Sequence, residues 1–286
     1  MKRYRDIAGD GGSNIAGQVE AQHALMRERL GEVRFIVAVV SGKGGVGKSS
    51  LTANLAAAFA LEGWRVGVVD ADLNGPTMAK MLGVRGSKLV VGAAGVTPPR
   101  SAQGVKVMSM DLLLATDATP LTWEAPTQDE AHTWRATMEA NALREFLADT
   151  DWGVLDALVI DLPPGTDRLL TINGLLPRLS GAVIVTIPSD VSRMVVRRSI
   201  TVAAQARVPV LGLVENMAGL FPGPGGEDLA REAQIAFLGR VPFDRALAET
   251  ADRGEALVAV AAASDAAIAL RQIAARVREA LERPAR

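Results

Sequence analysis

Short, unbroken apolar runs recur along this chain, separated by longer stretches in which apolar residues return at helical spacing. The first run, Phe35-Ile36-Val37-Ala38-Val39-Val40, offers no polar face to solvent and so reads as a strand buried on both sides. Further strands are predicted at 65–69, 105–110, 157–161, 182–187, 208–214 and 238–241, with helices filling most intervals. One helix runs from 48 to about 62 with Leu51, Leu55, Ala58 and Phe59 on a broad apolar face. Another, from 264 to 281, carries Leu270, Ile273, Val277 and Leu281 on one face. This alternation builds an α/β fold of three layers, a mostly parallel central sheet with helices on both faces. Ligands of such sheets bind beyond the carboxyl ends of the strands, so the polar residues that follow each run draw the functional interest.

The first strand leads into Ser41-Gly42-Lys43-Gly44-Gly45-Val46-Gly47-Lys48-Ser49-Ser50, and a helix leaves it. From Gly42 to Ser49 the spacing is that of the P-loop, G-x-x-x-x-G-K-[ST]. Its glycines let successive backbone N–H groups turn toward phosphate oxygens, and Lys48 supplies charge to the β and γ phosphates. The Ser49 hydroxyl is placed to ligate Mg²⁺. Residues 42–50 are therefore the predicted nucleotide cradle, and a P-loop NTPase is the predicted fold.

Two further strand ends carry carboxylates. The strand ending at Val69 leads into Asp70-Ala71-Asp72-Leu73-Asn74-Gly75-Pro76-Thr77, with one aspartate available to magnesium and the other to water. The run Ala157-Leu158-Val159-Ile160 ends in Asp161-Leu162-Pro163-Pro164-Gly165-Thr166, where Asp161 suits the water shell of Mg²⁺. Two prolines stiffen the segment after it, and the Gly165 N–H is the expected reporter of a γ-phosphate.

Composition adds boundaries. With 286 residues and 49% hydrophobic content, one large domain over 32–286 accounts for the chain, after a leader and short helix over 1–31. A net charge of -1 gives neither a nucleic-acid footprint nor a polybasic membrane patch. The opening Met1-Lys2-Arg3-Tyr4-Arg5-Asp6 lacks an apolar segment, and no run approaches the ~20 apolar residues of a spanning helix, so the expected location is the cytoplasm. The helix at 264–281 mixes arginines and glutamates on its polar face, which favours core packing over stable membrane attachment.

The early lysine in Lys43-Gly44-Gly45-Val46-Gly47-Lys48-Ser49 resembles the deviant Walker A motif of the MinD, ParA, nitrogenase iron protein and Mrp group. Together with Asp161-Leu162-Pro163-Pro164-Gly165-Thr166, Asp70 to Pro76 and Val214-Glu215-Asn216-Met217, it makes most of the chain from about Glu32 similar to the Mrp/ApbC family of iron–sulfur carrier ATPases. The resemblance implies a homodimer with ATP at its interface, in which Lys43 reaches the partner's nucleotide. It further implies that Asp72 orients the attacking water, that Asp70 sits near Mg²⁺, and that Asn216 contacts adenine with Pro242 bordering the base. Lys43, Lys48 and Asp72 are thus the implied catalytic residues, and Ser49, Asp70 and Asp161 the implied magnesium set.

Departures from the family matter equally. Mrp-type carriers place a C-x-x-C pair soon after this Glu-Asn-Met, whereas the present chain contains no cysteine and has Phe221-Pro222-Gly223-Pro224-Gly225-Gly226 there. His23 and His132 are its two histidines, so no iron–sulfur cluster is expected from the chain's own ligands. Thr166-Asp167-Arg168 is one residue shorter than the family's usual continuation, and the loop from Trp123 to Trp134 looks enlarged, either for core anchoring or for a partner. The leading expectation is an Mrp-like ATPase that assembles or activates a client protein without carrying a cluster. The alternatives are an iron–sulfur carrier or metallochaperone using partner ligands, and a positioning or regulatory ATPase of the MinD and ParA kind.

Overall fold

Seven parallel strands form the centre of the computed structural model, which describes residues 24–114, 131–223 and 225–283. Along the chain the elements are β1 (Val33–Val40), α1 (Lys48–Leu61), β2 (Val66–Asp70), α2 (Met78–Met81), β3 (Val90–Gly92), β4 (Gly95–Thr97) and β5 (Lys106–Met108). There follow α3 (Ala131–Ala148), β6 (Leu155–Asp161), α4 (Arg168–Leu175), β7 (Gly181–Thr186), α5 (Asp190–Gln205), β8 (Val210–Ala218), α6 (Gly226–Glu232), β9 (Phe237–Pro242), α7 (Ala246–Asp252), α8 (Leu257–Val260) and α9 (Asp265–Glu282). The sheet order is β5-β2-β6-β1-β7-β8-β9, so β1 lies in the middle with β6 and β7 as neighbours.

Alternation along β1 shows why its sequence is apolar throughout. Val37 and Val39 join the core on one face with α1, α8 and α9, while Ile36, Ala38 and Val40 join the core on the other face with α3, α4, α5 and α6. Each fully buried branched side chain contributes about 1.5–3 kcal/mol relative to exposure, which ties the strand carrying the phosphate loop to both layers. Helix α1 is buried at every residue from Leu51 to Phe59, beyond the single face that spacing predicts. The C-terminal helix α9 docks Leu270, Ile273, Val277 and Leu281 into the core beside β9 and α1, with Ser264 capping its start by accepting from the Ala267 N–H at 3.2 Å. Among the described residues no helix is long and apolar enough to cross a membrane.

The strands match their expected positions with three differences. The strand expected over 105–110 stops at Met108, and Ser109 then caps a tight turn at Met110–Leu112. Strand β8 continues past Val214 to Ala218 because Glu215 pairs with Thr186 on one side and Arg240 on the other. The antiparallel hairpin β3–β4 is not anticipated by sequence; it is held to the body by Val96, whose N–H donates to the Asp149 carbonyl at 2.7 Å and whose carbonyl accepts from Asp151 at 2.8 Å. Trp123 and His23 lie outside the described residues, whereas Trp134 and His132 fall in the first turns of α3, so the expected 123–134 loop ends in helix. Of the leader and short helix expected over 1–31, residues 24–29 are helical.

Candidate functional site

The carboxyl ends of β1, β2 and β6 converge on the loop between β1 and α1, which curls round a cavity of about 250 Å³ rimmed by Asp72, Met81 and Pro164. Glycine is required at two positions for steric reasons. A side chain on Gly42 would meet Val195 Cγ1 at 1.6 Å, and one on Gly47, whose φ is 78°, would meet Asn216 Nδ2 at 2.1 Å.

Asp161 lies behind the cavity wall and anchors the lysine and serine that line it. Its Oδ2 lies 2.7 Å from Lys48 Nζ and accepts from Ser49 Oγ at 2.6 Å, while Oδ1 accepts from Thr52 Oγ1 at 2.6 Å. Lys48 and Asp161 are 6% and 0% exposed, so the pair is desolvated and held by two added hydroxyls. Thr52 was not expected from sequence; its position one turn beyond Lys48, on the same face of α1, was the available signal. A carboxylate beside a serine hydroxyl presents hard oxygen donors of the kind Mg²⁺ prefers, so these residues fit that ion.

Asp72 lines the cavity and is half-buried. Burial pushes its carboxyl up from the usual range, opposed first by the nearby Lys48 charge. Asp70 stands differently from the expectation that it attends the magnesium. Its Oδ1 accepts from the Asp72 N–H at 3.2 Å, and Oδ2 accepts from the Thr77 and Met78 N–H groups at 2.8 and 2.9 Å and from Ser109 Oγ at 3.0 Å. These donors fix the segment that carries Asp72 and leave Asp70 an organiser of the loop. Complete burial and then the Asp161 charge raise the Asp70 carboxyl to about 7, against the lowering effect of its donors.

Four other predicted residues also have neighbours the sequence did not indicate. Lys43 Nζ donates to Ser189 Oγ within its own chain at 3.4 Å, at the start of α5. The Gly165 N–H, expected to face a γ-phosphate, donates to the Ser41 carbonyl at 3.1 Å, which docks the Pro163-Pro164 segment on the end of β1. Asn216, expected at adenine, is 5% exposed and donates from Nδ2 to the Val46 carbonyl at 2.8 Å, bracing the phosphate loop from beneath. Pro242 pairs with Ala218 at the ends of β9 and β8, and the next N–H, of Phe243, donates to the Ala218 carbonyl at 2.9 Å.

The far end of the run that stands where cysteines would be expected, at Gly226, is held by Glu215. This buried carboxylate accepts from Arg240 Nε at 3.0 Å and from the Gly226 N–H, so it fixes that residue to β8 and β9. No metal-binding group of three or more histidine, cysteine, aspartate or glutamate side chains occurs among the described residues. The site thus gathers Lys48, Ser49 and Asp72 at one cavity, with Asp161 bonded to Lys48 and Ser49 behind it and Asp70, Gly165 and Asn216 supporting its walls.

A family model described as ParA, NUBPL iron-transfer P-loop NTPase, matches residues 32–278. An iron-sulfur cluster carrier protein of Methanocaldococcus jannaschii is 42% identical over 249 residues, covering 83% of this chain and 82% of that protein. A protein of the same description from Saccharolobus solfataricus is 42% identical over 250 residues, covering 83% and 81%. Among solved structures, a nucleotide-binding protein of Archaeoglobus fulgidus in complex with ADP superposes with a TM-score of 0.69 at 37% identity, covering 82% of this chain and 92% of that one. The Pyrococcus furiosus cell division ATPase MinD shares the fold, with a TM-score of 0.64 at 22% identity and coverage of 86% and 98%. Matched over most of its length by that model and by relatives at this identity, the chain belongs to the NUBPL iron-transfer P-loop NTPases of the ParA family.

Proposed function

We propose that this protein is a Mg²⁺-dependent ATPase that works as a nucleotide-switched homodimer and assembles or activates a client protein without carrying a cluster of its own. What supports this reading is a cavity lined by the 43–50 loop and Asp72, with Asp161 bonded to Lys48 behind it, in a chain whose 221–226 run has no metal-ligating side chain. Bound phosphates draw Lys48 off Asp161, and the freed carboxylate and Ser49 then offer oxygens to the ion. Ser49 and Asp161 would hold magnesium, which would supply charge neutralisation to the phosphates. Asp72 orients a water for attack on the γ-phosphate, and Lys43 leaves Ser189 to complete the partner's site. The base lies at the carboxyl ends of β8 and β9 beside Pro242, with Asn216 acting through the loop it braces. When the γ-phosphate is lost, the Gly165 N–H returns to the Ser41 carbonyl and the switch relaxes. The cytoplasm is the proposed location, and no nucleic acid is needed as partner.

Affinity capture with Asp72→Ala in the presence of ATP tests the reading, with Lys48→Ala as the control for an empty site. Recovery of one enzyme or its subunits with the trapped form alone supports it, whereas recovery of iron–sulfur scaffold proteins moves the chain to the carrier class. A second reading, cluster carriage with ligands lent by a partner, is favoured by the description of the relatives. Iron retained after anaerobic reconstitution of the chain together with its captured partner, and by neither protein alone, would support it.

A further inference from the structure

Helix α3 touches both segments that frame the cavity. Glu139 Oε1 accepts from Asn74 Nδ2 at 2.7 Å, and Asn74 lies two residues beyond Asp72. The other oxygen, Oε2, lies 3.7 Å from Arg168 Nη1, at the end of the segment that begins with Asp161. Behind these contacts is a cavity of about 90 Å³ bounded by Ala71, Leu162 and Pro163 on one side and by Ala140 and Leu143 of α3 on the other. The two segments therefore have room to shift against α3, and Glu139 is a side chain they share.

We propose that Glu139 is a positioning residue that ties the Asp72 segment to the segment following Asp161, so that the two take up their hydrolytic arrangement together. The inference rests on the ATPase reading above and adds a residue outside the phosphate site. Glu139 does not line the phosphate-loop cavity; it acts through Asn74 on one side and Arg168 on the other. Glu139→Ala should lower kcat about tenfold, the loss of one charge-assisted hydrogen bond, while KM and the affinity for ADP stay within about twofold. Glu139→Gln keeps an acceptor for Asn74 but loses the charge facing Arg168, and its kcat should fall between the two.

A mutant cycle separates coupling from a merely structural role. With Glu139 present, Asn74→Ala and Arg168→Ala should lower kcat by less in combination than the product of their separate effects. In the Glu139→Ala background each should change kcat by less than about twofold. Simple multiplication of the two effects with Glu139 present would overturn the proposal, as would a loss of ADP affinity in Glu139→Ala equal to its loss of kcat. Thermal unfolding of Glu139→Gln checks that the fold is kept. If the unaltered protein hydrolyses ATP no faster than Asp72→Ala, the ATPase reading fails by itself. Hydrogen exchange with Mg²⁺ and ATPγS then decides the coupling. Protection of 72–78 and 162–168 that rises together in the unaltered protein and separately in Glu139→Ala supports it, and separate protection in the unaltered protein overturns it.

Discussion

Replacing Lys48 by methionine keeps the length of the side chain and removes its charge, leaving Asp161 desolvated with two hydroxyls and no counter-ion. At the 2.7 Å separation and near-complete burial of the pair, an effective dielectric of about 20 gives a Coulomb attraction of roughly 6 kcal/mol, much of it offset by desolvation of both groups. Removal of one partner from such a pair costs about 3–5 kcal/mol, and the Ser49 and Thr52 hydroxyls at 2.6 Å place Lys48→Met toward the lower end. Asp161→Asn should cost a similar amount because it strands the lysine. The double variant Lys48→Met/Asp161→Asn leaves no uncompensated charge, so its cost should fall short of the sum by about 2–3 kcal/mol. Urea unfolding followed by circular dichroism at about pH 7.5 measures all three, with an unchanged denaturant slope as the check that the same transition is compared. Single costs below about 1 kcal/mol, or a double variant equal to the sum, would refute the view that this pair is a mutually dependent buried unit.

Other outcomes follow from the same geometry. Gly47→Ala should abolish nucleotide binding by calorimetry, since its Cβ would stand 2.1 Å from Asn216 Nδ2 at a φ of 78°; binding at normal affinity would show that the loop yields. Asp72→Asn should bind ATP normally and hydrolyse it about 10²–10⁴-fold more slowly, measured by phosphate release; an unchanged rate removes Asp72 from water positioning. Asp70 is raised from 3.8 to about 7 in the folded chain, so the folded state holds a proton that the unfolded state releases. The unaltered protein should therefore lose stability relative to Asp70→Asn as pH rises from about 4 to about 7, by a few kcal/mol, and the difference should be flat above that. Urea midpoints of the two proteins across that range test it, and a difference independent of pH would contradict the assignment.

The sheet and the phosphate loop were legible because local pattern dictates them. An apolar strand, a glycine turn and a helix had to follow one another at 33–61, and the structure has them there. What the sequence hid was pairing at a distance. Lys43 and Ser189 are 146 residues apart, Asn216 and Val46 are 170 apart, and nothing in either neighbourhood announces the other. Asp70 and Asp72 look equivalent in a two-residue repeat, which on a strand would put both on one face, yet β2 ends at Asp70, so Asp70 meets the backbone donors of 77–78 while Asp72, beyond the strand, reaches the cavity. The β3–β4 hairpin escaped because exposed Val90 and Val91 flank glycines and alanines with no alternation to read.

Helix α1 is enclosed from Leu51 to Phe59, and a rod gripped on every side cannot tilt or slide without opening voids along its length. The loop joined to its first turn is therefore a fixed abutment, and the distance from Lys48 to the middle of β1 should stay constant through a cycle. In the cycle proposed above, movement would leave through the short stretches 71–77 and 162–167, whose lengths cap the stroke delivered to a bound partner. A pair of spectroscopic labels placed on those two stretches would record that stroke, while a label on α1 serves as the stationary reference.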